Sequence, residues 1–279
     1  MAKFSTKALV KRFCKKKRFI DGLCQNVGTV TEIEKYLFRN RESDFRIVDV
    51  PDMLEKLWSD RPEIPSTPIV TLDVDCFGGV PRRDKITWLR KWMMLNDVDS
   101  VLLSSLDEIA WMLNIRSRDI AHTPVVISYL WVSNESAVLY AEESKFDDTL
   151  RTALAADGVS LAPYESIVES IAEWNCEKPI YIDGGMLNYA LYEKVTDHYG
   201  AKVVNATSPV KLEKAIKNDT EIAGFHCAYH KDGVAQTRFF YGLEKAMERG
   251  ERITEIDAAN KLISIRKEMD PMRFVATRL

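Results

Sequence analysis

The segment Leu106-Asp-Glu-Ile-Ala-Trp-Met-Leu-Asn-Ile-Arg-Ser-Arg-Asp-Ile120 changes its pattern within a short span. Its first half places apolar residues at helical spacing, and its second half is strongly polar and charged. Residues 125–132 follow as an apolar run of strand length. A charged loop between two rigid elements is where ligand contacts are expected, and arginine in such a loop suits carboxylates or backbone carbonyls. The candidate site residues are therefore Asn114, Arg116, Arg118 and Asp119.

Short apolar runs alternate with helical patterns on both sides of this segment. The spacing predicts helices over residues 85–95, 106–113, 146–156, 164–174 and 186–198. Strands are predicted over 100–104, 125–132, 136–141, 179–183 and 202–205, with residues 133–135 as the turn of a hairpin. Because helices alternate with short strands and one hairpin is present, the predicted fold class is α/β, with a mixed sheet flanked by helices.

From Pro209 onward the chain is predicted to be almost entirely helical. Asn218, followed by acidic residues, is an N-cap signal, and an apolar stripe then runs from Ile222 to Ala246. Such a stripe needs a partner. Either the helix packs on the α/β domain, as we expect if the chain folds alone, or it opens a domain whose remainder is absent. Asp232 falls inside the stripe, where a carboxylate must be hydrogen-bonded. It is either a functional site group or, as we favour, a carboxylate that bonds the backbone of a neighbouring loop.

Composition and charge limit the classes of partner. Residues 1–18 hold eight basic and no acidic residues, which leaves 31 basic against 42 acidic residues in the rest of the 279-residue chain. An acidic body argues against nucleic acid, and no apolar run approaches the roughly 18 residues that suggest a membrane span. The five cysteines have no CxxC spacing, which indicates a reducing compartment. We expect the cytoplasm, although the basic leader leaves an organelle address open.

Three further patterns each have a functional and a simpler interpretation. His226 and His230 have the spacing of a zinc site, but both point away from the apolar stripe, which favours a solvated helix face. Asp73 and Asp75 resemble a paired-carboxylate metal motif, because on a strand the two side chains would share one face. Acids near a turn are common, however, and this simpler interpretation is favoured. Gly184-Gly185 before a helix suits an anion, and with the sheet pattern it would indicate a nucleotide-binding protein. The better explanation is that the two glycines lie where the chain enters the following helix.

Four segments of the chain resemble one enzyme family in the correct order. Residues 106–120, with Pro124 and Val125, are similar to the LDEIAWLLNLRGSDI…NPVF signature of three-domain Xaa-Pro aminopeptidases. Residues 60–65 resemble the joint between the family's first and middle domains, and residues 208–218 and 230–235 resemble the opening of its catalytic domain. The family's RGSD becomes Arg-Ser-Arg-Asp at 116–119, and Thr123 stands where asparagine is usual.

This resemblance implies a fold and an organisation. Residues 1–62 would be the basic segment with a remnant of the first domain, and residues 63–207 the creatinase N-terminal-like middle domain. Residues 208–279 would be the first helices of an incomplete pita-bread catalytic domain.

The resemblance also implies an activity: removal of an N-terminal residue that precedes proline, with two divalent metals (manganese or zinc), a proline-containing peptide as substrate and a possible homodimer. The family's two aspartates, one histidine and two glutamates that hold the metals come later than the matching region. We therefore expect this chain to bind no metal and to be inactive on its own. The alternative is a non-catalytic, peptidase-like module for interaction or peptide binding.

Overall fold

The computed structural model describes residues 20–23, 29–39, 46–49, 60 and 65–269 of the chain. The basic segment 1–18 and the proline at position 62 lie outside the described residues. A six-stranded mixed sheet with buried cores on both faces forms the centre of the described part, which confirms the predicted α/β class. None of the described helices has the length and apolar character that crossing a membrane requires.

Ten strands are present in the described residues. They are β1 (Ile20–Leu23), β2 (Arg46–Asp49), β3 (Val70–Thr71), β4 (Ser100–Leu103), β5 (Ile115–Arg116), β6 (Ser128–Ser133), β7 (Ala137–Ala141), β8 (Val159–Ala162), β9 (Ile180–Ile182) and β10 (Val203–Asn205). The main sheet has the order β10-β9-β4-β6-β7-β8. β4 pairs in parallel with β9 and antiparallel with β6, and β6 and β7 form the predicted hairpin. Two smaller sheets pair β1 with β2 and β3 with β5.

Nine α-helices lie among the same residues. They are α1 (Val30–Arg39), α2 (Arg82–Leu95), α3 (Leu106–Leu113), α4 (Asp148–Ala156), α5 (Ile167–Ser170), α6 (Tyr189–Tyr199), α7 (Pro209–Ala215), α8 (Asp219–Glu248) and α9 (Glu255–Met269). A single π-helical turn, Val74–Gly78, precedes α2.

The central strand β4 explains why both faces of the sheet are covered. All four of its residues are buried, as expected for a strand in the middle of a sheet with helices on either side. Side chains alternate along a strand, so Val101 and Leu103 join the core formed with α2, α3 and α4. Leu102 joins the opposite core, which contains residues of α5, α6 and the first helix α1.

Some predicted boundaries differ from the structure. The helix predicted over 164–174 is one α-helical turn between two short 3₁₀ turns, in a segment where the β-branched Ile167, Val168 and Ile171 weaken helix propensity. Helix α6 begins after Asn188 rather than at residue 186, because the Asn188 side chain accepts from the Leu191 amide at 2.8 Å and caps the helix there. Strands β1, β2, β3, β5 and β8 and helix α1 were not predicted.

Helix α8 meets the α/β domain chiefly at its beginning. Its first turns lie against the π-helical turn, and much of the rest packs along α9. Ala235 and Ala246 of the predicted apolar stripe are buried, whereas Ile222 and Phe225 keep 42% and 48% of their surface exposed. The expected packing is therefore confirmed for the start of the helix, and the stripe is only partly covered.

Candidate functional site

The candidate loop begins where helix α3 ends. Asn114 ends the helix in the left-handed conformation, with φ of 52°, which asparagine tolerates better than most residues. Its main-chain oxygen accepts from the Leu72 amide at 2.7 Å, and its Nδ2 donates to the Val80 oxygen at 2.9 Å. Its Oδ1 accepts from Lys85 Nζ at 2.6 Å. Asn114 thus ties the end of α3 to three other parts of the chain.

Lys85 places a positive charge in this buried cluster. Its Nζ also donates to the Trp111 oxygen at 2.7 Å and lies 4.2 Å from the centre of the Trp111 ring. Burial lowers the pKa of Lys85 to about 8, against an opposing influence of the Glu221 carboxylate, while the Arg116 charge lowers it further. The ammonium is hydrogen-bonded and stacked, yet its charge is poorly solvated.

The Trp111 side chain connects α3 to the beginning of α8. Its Nε1 donates to Glu221 Oε1 at 3.1 Å. Glu221 is also part of a capping box, in which Glu221 Oε2 accepts from the Asn218 amide at 3.0 Å and Asn218 Oδ1 accepts from the Glu221 amide at 2.9 Å. Asn218 Nδ2 reaches the Gly78 oxygen at 3.0 Å. The cap of α8 is therefore held by the α/β domain.

A glycine is required beside this cap. Gly79 has φ of +68°, and a Cβ at this position would collide with the Asn218 carboxamide. Both the backbone conformation and the close approach of Asn218 therefore exclude a larger side chain at position 79.

A second group of contacts lies at the carboxyl ends of the parallel strands β4 and β9. Ser208 Oγ donates to Glu108 Oε2 at 2.5 Å, and the Ser208 amide donates to Asp183 Oδ2 at 3.1 Å. Asp107 accepts from Ser105 Oγ at 2.5 Å and forms a salt bridge with Lys214 of α7. We call the contact of residues 208–221 with α3 and the π-helical turn the junction.

The pKa values of the two acids of α3 are shifted in opposite directions. Burial and the like charges of Asp107 and Asp183 raise the pKa of Glu108, although Ser208 and Lys214 oppose them. Burial would also raise the pKa of Asp107, but the hydrogen bonds from Lys214 and Ser105 outweigh it, so that this pKa is lowered.

The structure places the remaining loop residues as follows. Arg116 Nη1 donates to the oxygens of Ala110 at 2.6 Å and Ile115 at 2.9 Å, and burial lowers its pKa although Glu221 opposes the shift. Arg118 is exposed. Asp119 Oδ2 accepts from the equally buried Lys145 Nζ at 2.6 Å.

Asp119 is bonded on its other side as well. Its Oδ2 takes the Ile127 amide at 2.8 Å, and its Oδ1 takes Ser117 Oγ at 3.0 Å. Asn114 and Asp119 thus point into the domain, while Arg118 faces solvent. A ligand role for these residues, as for Arg116, stays a prediction.

The other sequence candidates are now placed. His226 and His230 are exposed on α8, and Asp73 caps the π-helical turn by accepting from the Cys76 amide at 2.8 Å. The amides of Gly184 and Gly185 donate to Asn205 Oδ1 and Asp183 Oδ1, both at 2.9 Å, so the glycine pair is engaged within the domain.

The prediction for Asp232 is wrong. Its Oδ1 accepts from Arg266 at 2.6–2.7 Å, and its Oδ2 accepts from Gln236. The partner is a side chain of α9 rather than the backbone of a loop, because α9 lies alongside α8.

The described residues do not fit the two metals that the resemblance implies. Nowhere in the described part of the chain do three or more His, Cys, Asp or Glu side chains form a group that could hold a metal ion.

Sequence reasoning did not identify the junction residues as a group. Glu108 and Ser208 are far apart in the chain, and so are Trp111 and Glu221. The available signal was that the family-like segments at 106–120 and 208–218 both carry polar residues beside helix starts.

Fold and junction together define an α/β sandwich domain that holds a helical segment against its third helix. The chain belongs to the creatinase/prolidase N-terminal domain family, whose model matches residues 60–221. This match includes both sides of the junction.

Curated relatives agree with this family. The chain is 33% identical over 230 residues to a probable Xaa-Pro aminopeptidase P of Laccaria bicolor, covering 80% of this chain and 35% of the relative. It is 30% identical over 279 residues to aminopeptidase P2 of Arabidopsis thaliana, covering 90% and 39%. The resemblance to Xaa-Pro aminopeptidases is thereby confirmed. The chain spans less than half the length of these relatives.

A solved structure supports the same fold. The X-prolyl aminopeptidase of Caenorhabditis elegans, described as a cytosolic enzyme with a di-nuclear active site, superposes with a TM-score of 0.83 at 27% identity. The match covers 94% of this chain and 43% of that enzyme.

Proposed function

We propose that this chain serves an Xaa-Pro aminopeptidase activity, the removal of an N-terminal residue that precedes proline. Within it, the α/β domain fixes the position of the helices that begin at Ser208. The observation that supports this proposal is the junction, where Glu108 and Trp111 of one short helix bond Ser208 and Glu221 directly. Similarity to Xaa-Pro aminopeptidases over 80–90% of the chain supplies the reaction class.

The chemistry of the junction suits a positioning role. Trp111 and Glu221 set the start of the 30-residue helix α8, and a small rotation there moves its far end by several ångströms. Positioning of this kind affects rate, because a displacement of about 1 Å at a reacting group can cost on the order of a hundredfold in activity.

We assign the exposed side of the loop to the substrate cleft. Arg118 faces solvent and Arg116 is only partly covered, so these guanidinium groups are the candidates for contact with a peptide carbonyl or carboxylate. Asn114 and Asp119 would act on the substrate indirectly, by fixing the loop through Lys85 and Lys145.

The metals and the compartment belong to the same proposal. Two divalent metals, manganese or zinc, would activate water for attack on the scissile carbonyl, with ligands from outside the described residues. The cysteine pattern supports a cytoplasmic location, as does the cytosolic description of the Caenorhabditis elegans enzyme. The substrate would be a proline-containing peptide, and a homodimer is a candidate assembly.

A chimera tests the positioning role. Residues 65–221 replace the matching segment of the Caenorhabditis elegans X-prolyl aminopeptidase, and hydrolysis of an Xaa-Pro peptide is measured with added manganese. We expect turnover, and at least about a tenfold loss of kcat when Trp111→Phe and Glu221→Gln are combined. Glu135→Gln, on an exposed hairpin turn, is the control and should leave kcat unchanged. A folded chimera without turnover, or one indifferent to the junction variants, would contradict the proposal.

The isolated 279-residue chain is expected to show no turnover of the same peptide with manganese or zinc. Measurable hydrolysis by this polypeptide would contradict the predicted inactivity.

The alternative function, a non-catalytic interaction module, is favoured by one surface. Phe225, Tyr229 and Phe240 of α8 keep 48%, 73% and 60% of their surface exposed. Calorimetric binding of a proline-containing peptide to the isolated chain, together with an inactive chimera, would support this alternative instead.

A further inference from the structure

Glu108 is an acidic side chain sealed beneath the start of the helical region. Only 2% of Glu108 and 3% of Ser208 is exposed, and the 2.5 Å contact from Ser208 Oγ is at the short end for a hydroxyl–carboxylate hydrogen bond. Ser208 is therefore buried together with Glu108 and donates a hydrogen bond to it.

The charges around Glu108 do not compensate an ionised carboxylate. Asp107 lies on the same helix, Asp183 follows β9, and Lys214 approaches from α7. Lys214 is already paired with Asp107. Glu108 is thus surrounded by two acids and one base, and burial disfavours its ionised form further.

We propose that docking of residues 208–216 onto α3 is linked to proton uptake by Glu108, so that the junction tightens in mildly acidic solution and loosens as Glu108 ionises. The proposal rests on the proposed role of the junction and names how that junction is regulated.

The direction of the pH dependence follows from comparing the docked state of residues 208–216 with the open state. When residues 208–216 lift away, Glu108 regains water and its pKa returns toward the ordinary range of a glutamate. The docked state, with the raised pKa, binds more protons between the two values. Docking is therefore fully favoured below the lower value and weakens as the pH rises through the higher one.

Hydrogen exchange of the full 279-residue chain measures this docking directly. Protection factors of peptides covering residues 203–216, corrected for intrinsic exchange, are compared at about pH 5 and about pH 8. We expect about tenfold lower protection at the higher pH, because the raised pKa of Glu108 favours the docked state only while this carboxyl is protonated. Strands β4 and β6 serve as internal reference and should not change.

Matched variants assign the effect to Glu108. Glu108→Gln keeps the shape and stays neutral, so its protection should remain at the acidic level at both values of pH. Glu135→Gln removes an exposed acid elsewhere and should behave as the unmodified chain. Unchanged protection of the unmodified chain between the two conditions, or a Glu108→Gln variant with the full pH response, would overturn the proposal.

Ser208→Ala provides a second test if Glu108→Gln does not fold. Without the hydroxyl, the ionised carboxylate loses its donor, so protection should fall more steeply with pH than in the unmodified chain; an equal slope would overturn the proposal. An inactive chimera with an intact exchange response would count against the proposed function alone.

Discussion

Two buried polar clusters in this chain have opposite surroundings. Asp119 and Lys145 form an ion pair with no exposed side-chain surface, closed off inside one domain by the Ile127 amide and Ser117. The junction instead joins two regions and holds a carboxyl, Glu108, that lacks full charge compensation; the buried Lys85 ammonium beside it is poorly compensated as well. The comparison teaches that the first cluster fixes a loop, whereas the second sets how firmly a neighbouring segment is held.

The largest loss of stability is expected from breaking the buried ion pair of Asp119 and Lys145. Lys145→Met leaves the Asp119 carboxylate buried without its counter-charge, which should cost about 3–5 kcal/mol in the free energy of unfolding. Urea denaturation followed by circular dichroism measures this loss.

The double variant Lys145→Met with Asp119→Asn is the control. Removing both charges should cost less than removing one, because an unpaired buried charge is the main penalty. Equal losses in the single and double variants would show that the pair does not act as a closed unit.

A smaller effect on the free energy of unfolding is expected from the titration of Lys85, and the sign of its pH dependence is the informative part. The pKa is about 8 in the folded chain and 10.5 in its ordinary state, so the unfolded chain binds more protons between these values. The contribution of Lys85 to stability should therefore rise with pH, by about 1.5 kcal/mol between pH 8 and 9.5.

Lys85→Met should remove this rise, and the difference between the two chains isolates the titration of Lys85 from that of all other groups. Unfolding free energies at several pH values supply the measurement. A parallel pH dependence in both chains would show that the buried ammonium is well compensated after all.

The smallest effect is expected from Trp111→Phe, which keeps the ring over Lys85 and removes the indole donor to Glu221. The loss should be about 1 kcal/mol and confined to the junction. Hydrogen exchange should therefore increase in the first turns of α8, with no change in β4.

Glu268→Gln breaks the exposed pair with Arg238 and is the matched control, with an expected effect near zero. A global loss of stability in Trp111→Phe would mean that the junction and the domain core are one unit, and the comparison would fail.

Local patterns predicted much of the fold. Helix α3 and the hairpin of β6 and β7 followed from spacing within their own segments, and Asn218 marked the start of α8 correctly. Strand β8 escaped prediction because Val159–Ala162 is short, and β7, the strand beside it in the sheet, pairs with it in parallel rather than through a tight turn.

The candidate site was predicted less completely. Asn114 and Asp119 could be named because polar residues were concentrated there, but spacing does not tell whether such side chains turn inward. Their partners Lys85 and Lys145 belong to other elements. Contacts such as Glu108 with Ser208 depend on how distant segments pack, which periodicity does not encode.

The position of Ser208 has a consequence for small molecules. Crevices at the carboxyl ends of parallel strands are where open α/β sheets usually take their ligands. Here the chain fills that place itself, with the amide and hydroxyl of Ser208 on Asp183 and Glu108. Ser208 acts as a tethered ligand, present at an effective concentration in the millimolar range or above. A nucleotide or metabolite competing for this crevice would have to displace a ligand that never diffuses away.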